Sequence, residues 1–187
     1  MRRGIPNKEE CLLLLRRLGL NEKTVQHSIA VSKTSLEIAE KIKKNGVSVD
    51  LNLVEAGALL HDIGRHKVHG IEHGQVGEET LLHLGYPDSL ARIAKKHVLC
   101  GMLPSAKDED RQPGKNNDPE MTLEEKIVCY ADKITLENKR TTLDERFGKW
   151  FRKYGKSAAL SRALQHSKDI ESELNTLISR KEMGMLK

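Results

Sequence analysis

Apolar residues recur at steps of three and four along most of this chain, and almost nowhere do they alternate with polar ones, so the backbone is expected to coil into helices. Asn7 with Glu10 and Thr122 with Glu125 have the spacing of capping boxes and mark two helix starts. Gly19, the pair Asn45-Gly46 and Gly85 mark stops. Helices are therefore predicted from Asn7 to about Leu18, Glu22 to Lys44, Leu51 to Ile63, His73 to Leu84 and Pro87 to Leu99. Others carry Asp132, span about Leu143 to Tyr154, and run from Lys156 to Arg180. No convincing strand or internal repeat is present, so the expected fold is an all-α helical bundle. A chain of 187 residues suits one substantial core better than two, and a single domain over 1–187 is expected.

Polar residues interrupt the inward faces of these helices at three separated places. His27 heads the stripe Val31, Thr34, Ile38 and Ile42; His61-Asp62 follows Leu59-Leu60; Asp132 shares a face with Val128, Cys129, Thr135 and Leu136. Burying such groups without partners costs several kcal/mol, so they need a common purpose. Neighbours on a helix diverge by roughly 100°, so His61 and Asp62 can serve one centre only at a helix end; Ile63-Gly64 suggests such an end, with Gly64 as a left-handed cap. Two imidazoles and two carboxylates would form a mixed nitrogen and oxygen shell that suits Mn, Fe, Co, Ni or Zn.

A His, a His-Asp pair and a distant Asp, here His27, His61-Asp62 and Asp132, make the chain resemble the HD-domain superfamily of metal-dependent phosphohydrolases from about Asn21 to Asn138. The resemblance implies an HD-domain helical bundle in which those four residues bind one divalent metal. His73, in His73-Gly74-Gln75-Val76-Gly77, and His97, at the end of the stripe Leu90, Ile93, Ala94, extend it. Two-metal members look like this, which implies a second metal on His73 and His97 with Asp62 between the two ions. The implied cofactor is one or two divalent ions among Mn, Fe, Co, Ni, Mg and Zn. The implied activity is hydrolysis of a phosphate monoester or phosphodiester, of a nucleotide on family grounds, by metal-activated water. Asp62 would be the central catalytic carboxylate, with Arg65 and Lys133 neutralising phosphate charge. Two alternatives use the same ligands: a di-iron HD-type oxygenase, and an HD protein that binds a nucleotide without turning it over. Gly85-Tyr86-Pro87 resembles part of the signature of members that hydrolyse cyclic dinucleotides, but it precedes His97 instead of following a histidine pair and reads better as a helix stop and start.

Composition sets outer limits. Hydrophobic residues at 37% and charged ones at 32% describe an ordinary helical protein. Aromatics at 3% leave little for base-stacking platforms, and the net charge of +5 is spread over short runs such as Arg2-Arg3, Lys43-Lys44 and Lys95-Lys96, so a nucleic-acid partner is not favoured. The expected partner is a small phosphorylated substrate; the oligomeric state is left open. Cys11, Cys100 and Cys129 lack paired spacing and are expected as reduced thiols of a cytoplasmic protein. No stretch approaches the ~20 apolar residues of a membrane helix. Met102 to Met121, rich in proline, asparagine and charge, is expected as a long solvated loop, with a substrate-covering lid as the alternative. His66 and His69 fall in a polar loop, and His83 and His166 on the surface.

Overall fold

Side-chain caps fix where the helices begin. In the computed structural model, which describes residues 3–101 and 120–180, the Glu10 N–H donates to Asn7 Oδ1 (3.0 Å) and the Asn7 N–H donates back to Glu10 Oε2 (2.8 Å), opening α1 (Lys8–Arg17). The same reciprocal cap at Thr122 and Glu125 opens α6 (Leu123–Lys133), and a third at Thr142 and Glu145 opens α7 (Leu143–Tyr154). Between them lie α2 (Glu22–Lys44), α3 (Leu51–Leu60), α4 (His73–His83) and α5 (Asp88–Lys96), and α8 (Ala158–Ser179) follows. The all-α expectation holds: the described residues form eight α-helices and one two-stranded sheet.

The bundle has two apolar clusters that meet on α3. Val54 and Ala58 of α3 join Val31, Ile38 and Ile42 of α2, Ile127 and Val128 of α6, Phe147 of α7 and Ile170 and Leu174 of α8. Ala56, Leu59 and Leu60 turn the other way, toward Cys11 and Leu15 of α1, Val25 of α2, Leu81 of α4 and Leu90 of α5. A helix that is apolar on two faces packs between two clusters, with Asn52 and Glu55 on its remaining side, and each fully buried Leu or Ile contributes roughly 1.5–3 kcal/mol. At Gly57 the packing is close enough that a Cβ would lie 2.5 Å from Ile93 Cδ1. The short side chain lets α5 approach α3.

Four expectations need correction. The helix predicted to Ile63 ends at Leu60, and the chain passes through Asp62 (φ −94°, ψ 12°) into a 3-10 turn, Ile63–His66. Gly64 is not a left-handed cap: it lies inside that turn, and it must be glycine because a Cβ would sit 2.0 Å from the His73 carbonyl oxygen and 2.6 Å from the Gly77 nitrogen. After α6 a small antiparallel hairpin intervenes, β1 (Thr135–Leu136) with β2 (Lys139–Arg140), where no strand was expected. Finally, Cys100 and Cys129 are joined by a disulfide and Cys11 alone is a free, buried thiol, so the argument from reduced thiols to a cytoplasmic location falls away. The cysteines lie 29 residues apart, and only the packing of the chain after α5 against α6 brings their Cα atoms to 5.8 Å. Among the described residues no helix is long and apolar enough to cross a membrane. The lid expectation for Met102 to Met121 falls, but for Glu120 and Met121, outside the described residues.

Candidate metal centre

Five helices deliver the six predicted side chains to one point, mostly from their ends. His27 stands early in α2, His61 is the C-cap of α3 with Asp62 just beyond, His73 is the first residue of α4, His97 is the C-cap of α5, and Asp132 is the penultimate residue of α6. The break after Leu60 resolves the divergence of adjacent residues, since Asp62 leaves the helical path and turns back toward the imidazoles. His61, Asp62, His73, His97 and Asp132 are buried, and the His27 side chain keeps 14% of its exposure.

Asp62 divides the centre into two halves. Its Oδ1 lies 3.0 Å from His73 Nε2 and 3.4 Å from His97 Nε2, while its Oδ2 lies 3.7 Å from His61 Nε2 and 2.7 Å from Arg65 Nε. Across the centre, Asp132 Oδ1 lies 3.0 Å from His27 Nε2 and 3.7 Å from His61 Nε2. Donor atoms of His27, His61 and Asp62 lie within 4.8 Å of one another, as do those of Asp62, His73 and His97 and those of His61, His97 and Asp132.

All four imidazoles are oriented the same way. Nδ1 of His27 faces the Glu137 carbonyl (2.9 Å), that of His61 the Ala58 carbonyl (2.7 Å), that of His73 the Gly70 carbonyl (2.6 Å) and that of His97 the Ala94 carbonyl (2.7 Å). A carbonyl oxygen only accepts, so each Nδ1 carries its proton and each Nε2 is turned to the centre, the outer-shell arrangement that prepares a histidine to ligate. Two observations then point to a cation. His61 Nε2 is fully buried and has no hydrogen-bond partner, and His73 Nε2 and His97 Nε2 face each other at 2.9 Å. The donor set of four imidazole nitrogens and two carboxylates fits divalent metals of the Mn to Zn range.

The electrostatics favour the ligating forms. Burial pushes the Asp62 carboxyl up, but His61, His73 and His97 outweigh it and hold it well below the usual carboxylate range. Burial acts likewise on Asp132, and Lys133, His27, His61 and Arg146 overcome it. His97 is pushed down to about 3, by burial first and by His61 and His73 beside it, against the pull of Asp62. His61 is also lowered, by burial. His27 moves the other way: burial lowers it, but the hydrogen bond and charge of Asp132 and the Glu137 carbonyl raise it on balance.

The family model of the HD domain matches residues 24–137. The chain belongs to the HD-domain family. An uncharacterized protein of Methanocaldococcus jannaschii is 43% identical to this HD protein over 149 residues, covering 80% of the chain and 87% of that protein. Two proteins named tRNA (cytidine(56)-2'-O)-methyltransferase match as well. That of Thermoplasma volcanium is 38% identical over 75% of this chain, and that of Picrophilus torridus 32% identical over 94%. The HD chain spans 40% and 48% of their lengths. No solved structure matches it significantly.

The predicted anion-binding cations lie beside the carboxylates. Arg65 also donates to the His69 carbonyl at 3.3 Å, and Lys133, far from being a surface residue, is 2% exposed with Nζ 2.5 Å from Asp132 Oδ2 and 2.8 Å from the His97 carbonyl. His66 bonds the Ile63 carbonyl through Nδ1, His69 and His83 are exposed, and His166 is half-buried. Two participants had no sequence signal. Glu137, at φ 57° in the hairpin turn, aims its carbonyl at His27, and Arg146 on α7 brings Nη2 to 4.0 Å from Asp132 Oδ1.

Proposed function

We propose that this HD protein is a metal-dependent phosphohydrolase that cleaves a phosphate monoester or phosphodiester, with a nucleotide as the leading substrate class. The observation that carries the reading is the sharing of Asp62: one carboxylate faces His73 and His97 through Oδ1 and His61 through Oδ2, while the buried His61 Nε2 makes no hydrogen bond. His27, His61, Asp62 and Asp132 would hold one divalent metal, and Asp62, His73 and His97 a second. Bound there, a divalent metal supplies a Lewis acid that lowers the pKa of water from about 15.7 toward 7 and draws a phosphoryl oxygen.

The chain's own residues do the rest. The four backbone carbonyls hold every imidazole in the ligating tautomer, so no reorganisation is needed at the moment of reaction. Arg65 steadies Asp62 through Nε and donates to the His69 carbonyl through Nη1, which leaves Nη2 to meet phosphate charge. Lys133 holds Asp132 ionised and spans to the His97 carbonyl, tying the two halves together. The matches to tRNA methyltransferases and the excess of 32 basic over 27 acidic residues are reasons to try short RNA fragments and their phosphate ends as substrates beside mononucleotides.

Metal analysis of the purified protein beside a His61→Ala/Asp62→Ala variant, followed by an activation screen with Mn, Co, Ni, Mg, Zn and Fe, tests the proposal. About two metals per chain, lost in the variant and tied to phosphate release, is the expected outcome. Metal binding with oxygen consumption and no phosphate release would replace it with the di-iron oxygenase, and nucleotide binding without turnover would replace it with a sensing role.

A further inference from the structure

We infer that Arg146, braced on Trp150, is an anion clamp that anchors the phosphate group of the ligand at the centre; the inference rests on the phosphohydrolase reading for its place in a reaction but not for its test. Arg146 and Trp150 lie on α7, beyond the residues 24–137 that match the HD family. The Arg146 side chain is 15% exposed, its Nε is buried without a hydrogen-bond partner, and its Nη2 stops 4.0 Å from Asp132 Oδ1, too far for a hydrogen bond. The guanidinium stacks on the Trp150 ring with 4.9 Å from Cζ to the centroid, and Trp150 is itself held edge-on by Phe147 at 4.8 Å.

Charge pairing around the centre leaves Arg146 over. Arg65 engages Asp62 Oδ2 at 2.7 Å and Lys133 engages Asp132 Oδ2 at 2.5 Å, so each carboxylate already has a cation on its outer oxygen. A third cation, largely removed from water and with an unfilled donor, is costly unless an anion completes it. The planar fork of arginine donates to two oxygens of a phosphate at once, and the stacked ring holds that fork in place, so little entropy is lost when the anion arrives. The flanking position matters too: α7 begins just after the hairpin whose Glu137 carbonyl sets His27, so the clamp and the His27 half of the centre are positioned by one continuous segment.

Trp150 is the only tryptophan of the chain, so it reports on its own neighbour. The experiment titrates inorganic phosphate into Mn-loaded wild type, Arg146→Ala, Arg146→Gln and Arg146→Lys, read by calorimetry and by tryptophan fluorescence, with metal content measured on each sample. Phosphate should change the wild-type fluorescence and bind roughly 10- to 100-fold more weakly to Arg146→Ala, with metal content unchanged and Arg146→Lys intermediate. Arg146→Gln keeps most of the apolar stem and gives the same comparison if the alanine variant does not fold. Equal phosphate affinity in wild type and Arg146→Gln, or no phosphate binding to the metal-loaded wild type, overturns the inference. Hydrolysis is scored separately: a wild type that binds phosphate through Arg146 yet hydrolyses nothing removes the phosphohydrolase reading and leaves the clamp standing. A wild type that hydrolyses, beside an Arg146→Gln variant of unchanged KM and phosphate affinity, removes the clamp and leaves the reading.

Discussion

The two halves of the centre share Asp62 and differ in almost everything else. The His27 half is built from α2, the end of α3 and α6, and has Lys133 and Arg146 beside its own carboxylate, Asp132. The His73 half is built from the first residue of α4 and the end of α5; among the described residues Asp62 is the carboxylate grouped with it, and His73 and His97 lie 7% and 3% exposed. One half is rich in charge and partly open at His27, and the other is a buried histidine pocket. On the proposed reading, the first half would meet the substrate anion and the second would hold a cation in place.

The largest effect should follow from removing what the halves share. Asp62→Ala is expected to empty both and bring hydrolysis to background while the helical content survives, whereas His73→Ala should empty only its own half; metal analysis per chain checks both. Equal metal loss in the two variants would break the division into halves.

Gly64→Ala comes next and strikes the histidine half. A Cβ there lies 2.0 Å from the His73 carbonyl oxygen, so backbone has to move, at a cost of roughly 1–3 kcal/mol. Gly77→Ala, where the nearest atom is the Ala94 side chain at 3.2 Å, should cost less. Thermal unfolding of the metal-free proteins ranks the two, and a Gly64→Ala variant as stable as wild type would mean that α4 does not need its tight seat.

Acid should separate the halves in the metal-free protein. His97 titrates near 6.5 when unfolded and is pushed down to about 3 when folded, so the unfolded chain binds its proton first and this contribution to stability drains away as pH falls from 6.5 to about 3. His27 is raised in the fold, so its contribution is fully present below 6.5 and is lost as pH rises through its folded value. His97→Gln should flatten the acid limb of Tm against pH below 6.5, and His27→Gln should leave that limb unchanged while removing the gain in stability on acidification toward 6.5. Identical profiles would deny that the halves differ electrostatically.

The smallest expected effect concerns the bond that crosses the halves, since Cys100 follows the His97 helix and Cys129 lies on the Asp132 helix. With those two paired, and burial pushing Cys11 up to about 12, the native protein should show no reactive thiol to a disulfide reagent. Unfolding without reductant should release one thiol per chain, and with reductant all three. Rapid native labelling at Cys100 or Cys129 would remove the tether.

Much of this was legible along the chain. The caps at Asn7 and Thr122 placed α1 and α6 because a capping box is a contact between residues three apart. The polar interruptions at His27, His61 and Asp132 stood out because a helix period shows which residues turn inward. Less visible was anything that depended on two elements meeting. Gly64 read as a helix cap from its local context, yet its need for glycine comes from the backbone of α4. The disulfide, the Glu137 carbonyl behind His27 and the guanidinium of Arg146 each join positions with no common period or spacing.

The sequence by itself therefore determined the helices, the inward set of histidines and aspartates, and through their order the family, because periodicity, capping and a motif all act within or along one chain. Only the tertiary structure decided that Asp62 stands between two sets of imidazoles, that four carbonyls turn every Nε2 inward, and that Arg146 is left without a full partner. Those are consequences of distances between elements remote in sequence, and distance in space is set by how the helices pack.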